Sequence, residues 1–198
     1  MFPSRFKNVL DFFTRLPSLG PRQSIRLIFH LSSWNKSDLR IFGESIIALT
    51  EMKTCPMCFF IHENENDLCE ICNDHNRRKD IIAIVEKQTD IVSLEQTKKM
   101  NNHYFIIGDI KRNFAASANY ERINILKKRI DDTLSGKAAE IILAISPTTY
   151  GDIITGTLTH ELFDYAHKIS RLARGIPTGG DIEFADEDTL RNAIDNRK

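Results

Sequence analysis

All four cysteines of the chain fall in one stretch. Cys55-Pro56-Met57-Cys58 is followed, after ten residues, by Cys69-Glu70-Ile71-Cys72. A Cys-x-x-Cys turn holds two sulfurs on one side of a tight loop, and two such turns supply four. Four thiolates suit Zn²⁺, which takes sulfur ligands tetrahedrally at ~2.3 Å. The intervening run Glu63-Asn64-Glu65-Asn66-Asp67 is polar and reads as a surface excursion between two knuckles. Two disulfides would suit an exported chain. The first ten residues, however, lack the uninterrupted apolar core of a signal peptide. The expectation is one structural zinc on Cys55, Cys58, Cys69 and Cys72. With sulfur in every ligand position, none is open to water, so the metal would fold the chain rather than catalyse. His62 and His75 are expected to be ordinary surface histidines.

The knuckle divides two different patterns. Before it, Phe6, Val9, Leu10 and Phe13 recur at helical spacing, predicting a helix over 4–15. Leu16-Pro17-Ser18-Leu19-Gly20 breaks it, and Pro21 stands where a first helical residue belongs. A second helix runs to about Ser32, with Arg22 and Arg26 on one face. Two helices joined by such a turn are either a helix-hairpin-helix element or an αα-hairpin of a small bundle. In the first case the turn Ser18-Leu19-Gly20 offers backbone N–H groups to a phosphate, without reading any base. A third helix, carrying Leu39, Phe42, Ile46 and Leu49 and capped by Ser37, would close a small core with the other two.

After the knuckle, Asn73 to Lys79 forms a basic loop. Ile81 to Glu86, His103 to Ile107, Glu140 to Ile145 and Ile169 to Ala173 read as strands. They alternate with helices over 89–99, 121–134 and 153–167, the last burying Leu158, Leu162 and Tyr165 or Ala166. Residues 111–119 read as a loop. This alternation predicts βαβ units around a parallel sheet covered on both faces. Gly175 to Asp186 is irregular, and Asp186 caps a final helix bearing Leu190 and Ile194. The fold class expected is multi-domain α+β.

Charge narrows the partners. The 198 residues balance to a formal charge of zero, yet residues 1–40 hold seven Lys/Arg against Asp11 and Asp38, a net of +5. The segment Asp181 to Asp188 is acidic. Nucleic acid at one end, or head-to-tail contacts between subunits, would use this asymmetry. No apolar run reaches the ~20 residues of a membrane span, so a cytoplasmic chain is expected.

In order along the chain, the Leu16-Pro17-Ser18-Leu19-Gly20-Pro21 hairpin, the four-cysteine knuckle, Asp74 with Arg77, Val85-Glu86 and Ser146-Pro147-Thr148 resemble the bacterial recombination mediator family RecR. The run from Ala173-Arg174-Gly175-Ile176-Pro177-Thr178-Gly179-Gly180-Asp181-Ile182-Glu183-Phe184 to Asp186 carries the likeness furthest. The resemblance implies a helix-hairpin-helix domain over 1–53, a zinc finger over 54–79, a Toprim domain over 80–174 and a C-terminal arm over 175–198. It further implies a ring-like homotetramer that encircles DNA. It implies work with RecO and RecF to help RecA replace single-strand-binding protein at gaps. The chain departs from the family pattern at Ser18, where glycine is usual, at Asp109 to Asn119, at Tyr150, where the family usually carries an acid, and at Asp152, where it usually carries a glutamate.

A Toprim fold raises the question of catalysis. Such sites hold Mg²⁺ on a glutamate at the end of the first strand and on an Asp-x-Asp pair. Glu86 fills the first position. The pair falls on Ser146 and Thr148, whose hydroxyls carry no negative charge, and Asp152 is a single displaced acid. The expectation is a vestigial site, Glu86 with Ser146, Thr148 and Asp152, and no enzyme. Two other readings stand beside the mediator: a Toprim nuclease or primase-like enzyme, and a zinc-stabilised adaptor that binds only protein.

Overall fold

The fold was analysed in a computed structural model that describes residues 2–109, 118–173, 175, 176, 178–195 and 197. The chain separates into two compact units, Met1–Met52 and Lys53–Lys198. Of the segment read as a loop over 111–119, residues 111–117 lie outside the described residues and 118 and 119 belong to a helix; Ile110, and Arg174 and Pro177 of the C-terminal run, also lie outside the described residues.

The first unit is helical. Helix α1 (Ser4–Phe13) packs on α2 (Pro21–Ser32) through Phe6 and Phe29, with ring centroids 5.1 Å apart. Pro21 opens α2 directly after Gly20, as its missing N–H and fixed φ favour. Helix α3 (Lys36–Ala48) starts two residues earlier than Ser37 suggested. Asn35 is its N-cap, the side-chain carbonyl accepting the Asp38 N–H at 2.8 Å. Ser37 therefore sits inside the first turn. The expected three-helix core does not close within this unit. Leu39, Phe42, Ile46 and Leu49 are all exposed, and only Ser24 and Ile28 are buried across the three helices.

The second unit begins with a two-residue hairpin, β1 (Lys53–Thr54) and β2 (Ile61–His62), paired antiparallel. The four-residue helix α4 (Glu70–Asn73) completes the knuckle. Then come β3 (Arg78–Val85), α5 (Gln88–Gln96), β4 (Asn102–Ile106), α6 (Ala118–Leu134), β5 (Glu140–Ala144), α7 (Thr149–Glu161), β6 (Ile169–Arg171) and α8 (Glu187–Asp195). Strands β3 to β6 form one parallel sheet in the order β4-β3-β5-β6. Strand side chains alternate between faces. Ile82 and Ile84 face Ile123, Leu126, Ile130, Ile154 and Leu158 from α6 and α7. Ala83 and Val85 face Ile91 and Leu94 from α5, with Phe59 and Phe60 of the knuckle on the same side. Residues 82 to 85 are thus wholly buried, which explains the continuous apolar run.

Several boundaries differ from the sequence pattern. Strand β3 begins at Arg78, inside the segment read as a basic loop. Helix α7 begins at Thr149 because the Thr148 hydroxyl accepts the Gly151 N–H at 3.1 Å. It ends at Glu161, and a 3₁₀ turn over Phe163–Tyr165 carries the chain on. Leu158, Leu162 and Ala166 are buried all the same. Asp186 caps α8, accepting the Thr189 N–H at 2.9 Å.

Candidate functional site

Two tight turns bring the four thiols together. In the first, the Phe59 N–H donates to the Cys55 carbonyl at 2.8 Å and the Cys55 N–H to the Phe60 carbonyl at 2.9 Å. Phe59 takes a left-handed φ of 65° to make the turn. In the second, the Asn73 N–H closes on the Cys69 carbonyl at 3.0 Å. All four Sγ atoms lie within 4.8 Å of one another, and all four residues are buried. Cys58 and Cys69 Sγ are 3.5 Å apart, and none of the four is disulfide-bonded. A tetrahedron with ~2.3 Å metal–sulfur bonds has edges of about 3.8 Å, so the cluster fits a metal ion. Hydrogen bonding to Cys55 pushes the Cys58 and Cys72 thiols up, with burial adding to it. Four buried thiols resist ionising together unless a cation shares their charge.

The knuckle is fastened to the sheet. The Ile106 N–H of edge strand β4 donates to the Cys58 carbonyl at 3.0 Å. The Phe59 ring meets Phe105 edge-on at 5.5 Å, and the Arg122 guanidinium lies 4.3 Å over its centroid. From α6, Arg129 reaches in and donates to the Met57 carbonyl at 3.0 Å. His62 is not a surface histidine: it is buried, and neither ring nitrogen has a hydrogen-bond partner. Alternation in β2 turns Ile61 outward and His62 inward. His75 is exposed.

The second place of interest is the carboxyl end of the sheet. The chain runs from β3 to β4 on one side and then crosses to β5 on the other. A crevice opens at such a reversal of strand order. There the Glu86 carboxylate accepts the Ser146 N–H at 2.7 Å. Ser146, Thr148 and Asp152 line a cavity of about 660 Å³ with Arg171 and, from the arm, Asp186 and Asp188. Each sequence-flagged group has a structural engagement. Glu86 pins the Ser146 loop, and Thr148 caps α7. Asp152 meets Arg171 at 2.7 Å, so a guanidinium stands beside this carboxylate. Sequence reasoning missed Arg171. It also missed Gly151, which lets α7 pass so close to the loop that a Cβ there would lie 2.0 Å from the Ser146 carbonyl oxygen. A glycine in the first turn of a helix was the available signal.

In the first unit, Arg22 and Arg26 are both exposed on α2, next to the turn holding Ser18, Leu19 and Gly20. Ser18 has a φ of 65°, the left-handed conformation that glycine adopts without steric cost. The basic run after the knuckle is largely neutralised. Arg77 is bidentate on Glu95, at 2.9 and 2.5 Å, and Tyr104 Oη donates to the same carboxylate at 2.6 Å. Arg78 pairs with Asp80 at 2.6 Å. Glu95 is held below the usual carboxylate range, first by its hydrogen bonds from Arg77. This run is therefore internal bracing more than a cationic surface.

Comparison with known proteins agrees with this architecture. The Toprim domain family model matches residues 80–173, and the model described as RecR, C-terminal, matches residues 175–198. The chain is 34% identical to "Recombination protein RecR" of Frankia casuarinae, over 100% of this chain and 98% of that one. It is 32% identical to the protein of the same name from Paenarthrobacter aurescens, with the same coverage. It is 33% identical to that of Clostridium perfringens, over 99% of this chain and 97% of the relative.

Proposed function

Since the chain belongs to the RecR family of recombination proteins, we propose that it serves recombinational repair as a sequence-independent DNA-binding mediator and not as an enzyme. It acts with RecO and RecF, as a ring-like homotetramer in the cytoplasm, to help load RecA on gapped single-stranded DNA. The proposed division of labour is a helix-hairpin-helix domain over 1–53, a zinc finger over 54–79, a Toprim domain over 80–174 and an arm over 175–198. The four thiolates hold one zinc per chain, the ion to which a buried all-sulfur tetrahedron is suited. Among the described residues, no helix is long and apolar enough to cross a membrane.

The observation that carries the DNA reading is the exposed pair Arg22 and Arg26 beside the Ser18–Gly20 turn. Helix N-termini and arginines take phosphate without regard to sequence. The reading as a non-enzyme is supported by Ser146 and Thr148, which cannot hold Mg²⁺ as two carboxylates would, and by the occupation of Glu86 with the Ser146 N–H. The test is fluorescence anisotropy over a salt series with Arg22→Ala/Arg26→Ala. The double variant binds every DNA sequence more weakly. Its slope of log affinity against log salt falls by about one unit per lost phosphate contact. Equal affinity and slope in parent and variant would place the DNA elsewhere.

A further inference from the structure

Arg129 is a buried charge whose partners are all neutral. It is 8% exposed, and among the described residues no other Lys, Arg, Asp or Glu is buried. Its guanidinium donates to three acceptors: the Met57 carbonyl at 3.0 Å, the Tyr104 carbonyl at 3.3 Å and His103 Nδ1 at 2.9 Å. These satisfy hydrogen bonds but supply no negative charge. A cation removed from water is strongly disfavoured unless an anion lies near. The Met57 acceptor belongs to the turn between two of the cysteines. Burial alone draws the guanidinium down, and all four cysteines act in the opposite sense, holding the proton on.

The charge missing from this account is the metal centre itself. Four thiolates around a dication carry a net charge of −2. Buried in an apolar cluster with Met57, Phe60, Leu68 and Ile71, that centre needs a cation as much as Arg129 needs an anion. Resting on the zinc reading above, we propose that Arg129 is the counter-charge of the four-thiolate centre, sent from α6 of the sheet unit, and that it sets how tightly the metal is held. The sheet unit and the knuckle then depend on each other. The metal offsets two of the four negative charges, and the guanidinium offsets one of the two that remain. Because α6 also carries Ile123, Leu126 and Ile130 in the main core, loss of the metal leaves an unpaired charge inside the unit.

The test compares zinc affinity, by competition with a chromophoric chelator, in full-length wild type, Arg129→Gln, Arg129→Lys and Leu126→Ala. Zinc per chain in the wild type is measured first. Partners that orient or charge-balance metal ligands typically change affinity 10- to 100-fold. Arg129→Gln, which keeps hydrogen-bonding capacity without charge, should bind zinc at least about tenfold more weakly. Arg129→Lys, which keeps the charge and loses the planar fork, should stay much closer to wild type. Leu126→Ala, a core cavity on the same helix, should lower stability and leave zinc affinity unchanged. Wild-type affinity in Arg129→Gln overturns the proposal. So does an Arg129→Lys variant as weak as Arg129→Gln, since hydrogen bonding rather than charge would then be responsible. A Leu126→Ala variant equally weak does the same, since the effect would then be general destabilisation. A metal-free wild type refutes the zinc reading itself, and this inference with it.

Discussion

His103 shows how a buried network translates into pH dependence. Its Nδ1 accepts from Arg129, so the neutral ring carries its proton on Nε2, which is buried without a partner. Burial first, and then the Arg129 charge, lower its pKa from 6.5 to about 4. Above pH 6.5 the ring is neutral whether the chain is folded or not. As pH falls from about 6.5 towards about 4, the unfolded chain takes up a proton that the folded one refuses. The native state is therefore stable above that window and loses stability through it, by at most about 1.4 kcal/mol per pH unit. Denaturant melts of zinc-saturated protein at pH 7 and pH 5.5 should show a drop of about 1 kcal/mol that His103→Gln removes. Identical drops in the two proteins would mean that His103 is accessible to protons in the native state. Ser18 illustrates the converse, a residue whose difficulty was visible beforehand. A serine where the hairpin calls for glycine is held at φ 65°, as the turn requires.

Helix α7 depends on one glycine and is indifferent to another. At Gly151 a methyl group would meet the Ser146 carbonyl oxygen at 2.0 Å, a backbone atom that cannot swing away. At Gly156, exposed in the middle of the same helix, nothing lies within 4 Å. Gly151→Ala should therefore destabilise by about 2 kcal/mol or more, with the Ser146 loop or the helix start displaced. Gly156→Ala should stabilise by about 0.5–1 kcal/mol through helix propensity and a less flexible unfolded chain. Thermal melts of the two variants decide it, and a tolerated Gly151→Ala would mean that α7 stands further from the loop. In the same loop Glu86 accepts the Ser146 N–H, so a residue type expected for metal chemistry serves as a fastening. Helix α2 shows a different economy. Arg22 and Arg26 are exposed on it, while Ser24 and Ile28 face inward.

Across the molecule, the first unit leaves much apolar surface uncovered. Phe12, Phe29, Ile41, Ile47 and Leu49 are among the large hydrophobic side chains it exposes, with Ile47 at 67%. Exposed apolar side chains of this size suit cover by a partner, and a second copy of the chain is the occupant that the proposed ring supplies. Ultracentrifugation at micromolar concentration should find an oligomer in wild type. Ile47→Asp should shift it to a smaller species while the sheet unit keeps its melting temperature. A wild-type chain that sediments as a monomer would remove the support for a ring.

Much of this fold is written in local pattern. Two Cys-x-x-Cys turns, the apolar run over 81–85, Pro21 after Gly20 and Asp186 before α8 each commit the backbone within a few residues. Knuckle, parallel strands and the starts of α2 and α8 were accordingly legible. What the sequence left open depends on partners far along the chain. His62 was misjudged because its burial follows from the register of a two-residue hairpin. Arg77 looked like part of a cationic loop because its neutralising Glu95 lies 18 residues on. Asp152 gained its cation from β6, and Arg129 reaches a carbonyl 72 residues away. Hydrophobic spacing and turn chemistry act over a few residues, so local sequence records them. Charge compensation and burial are settled only when the folded chain brings distant groups within a few ångströms.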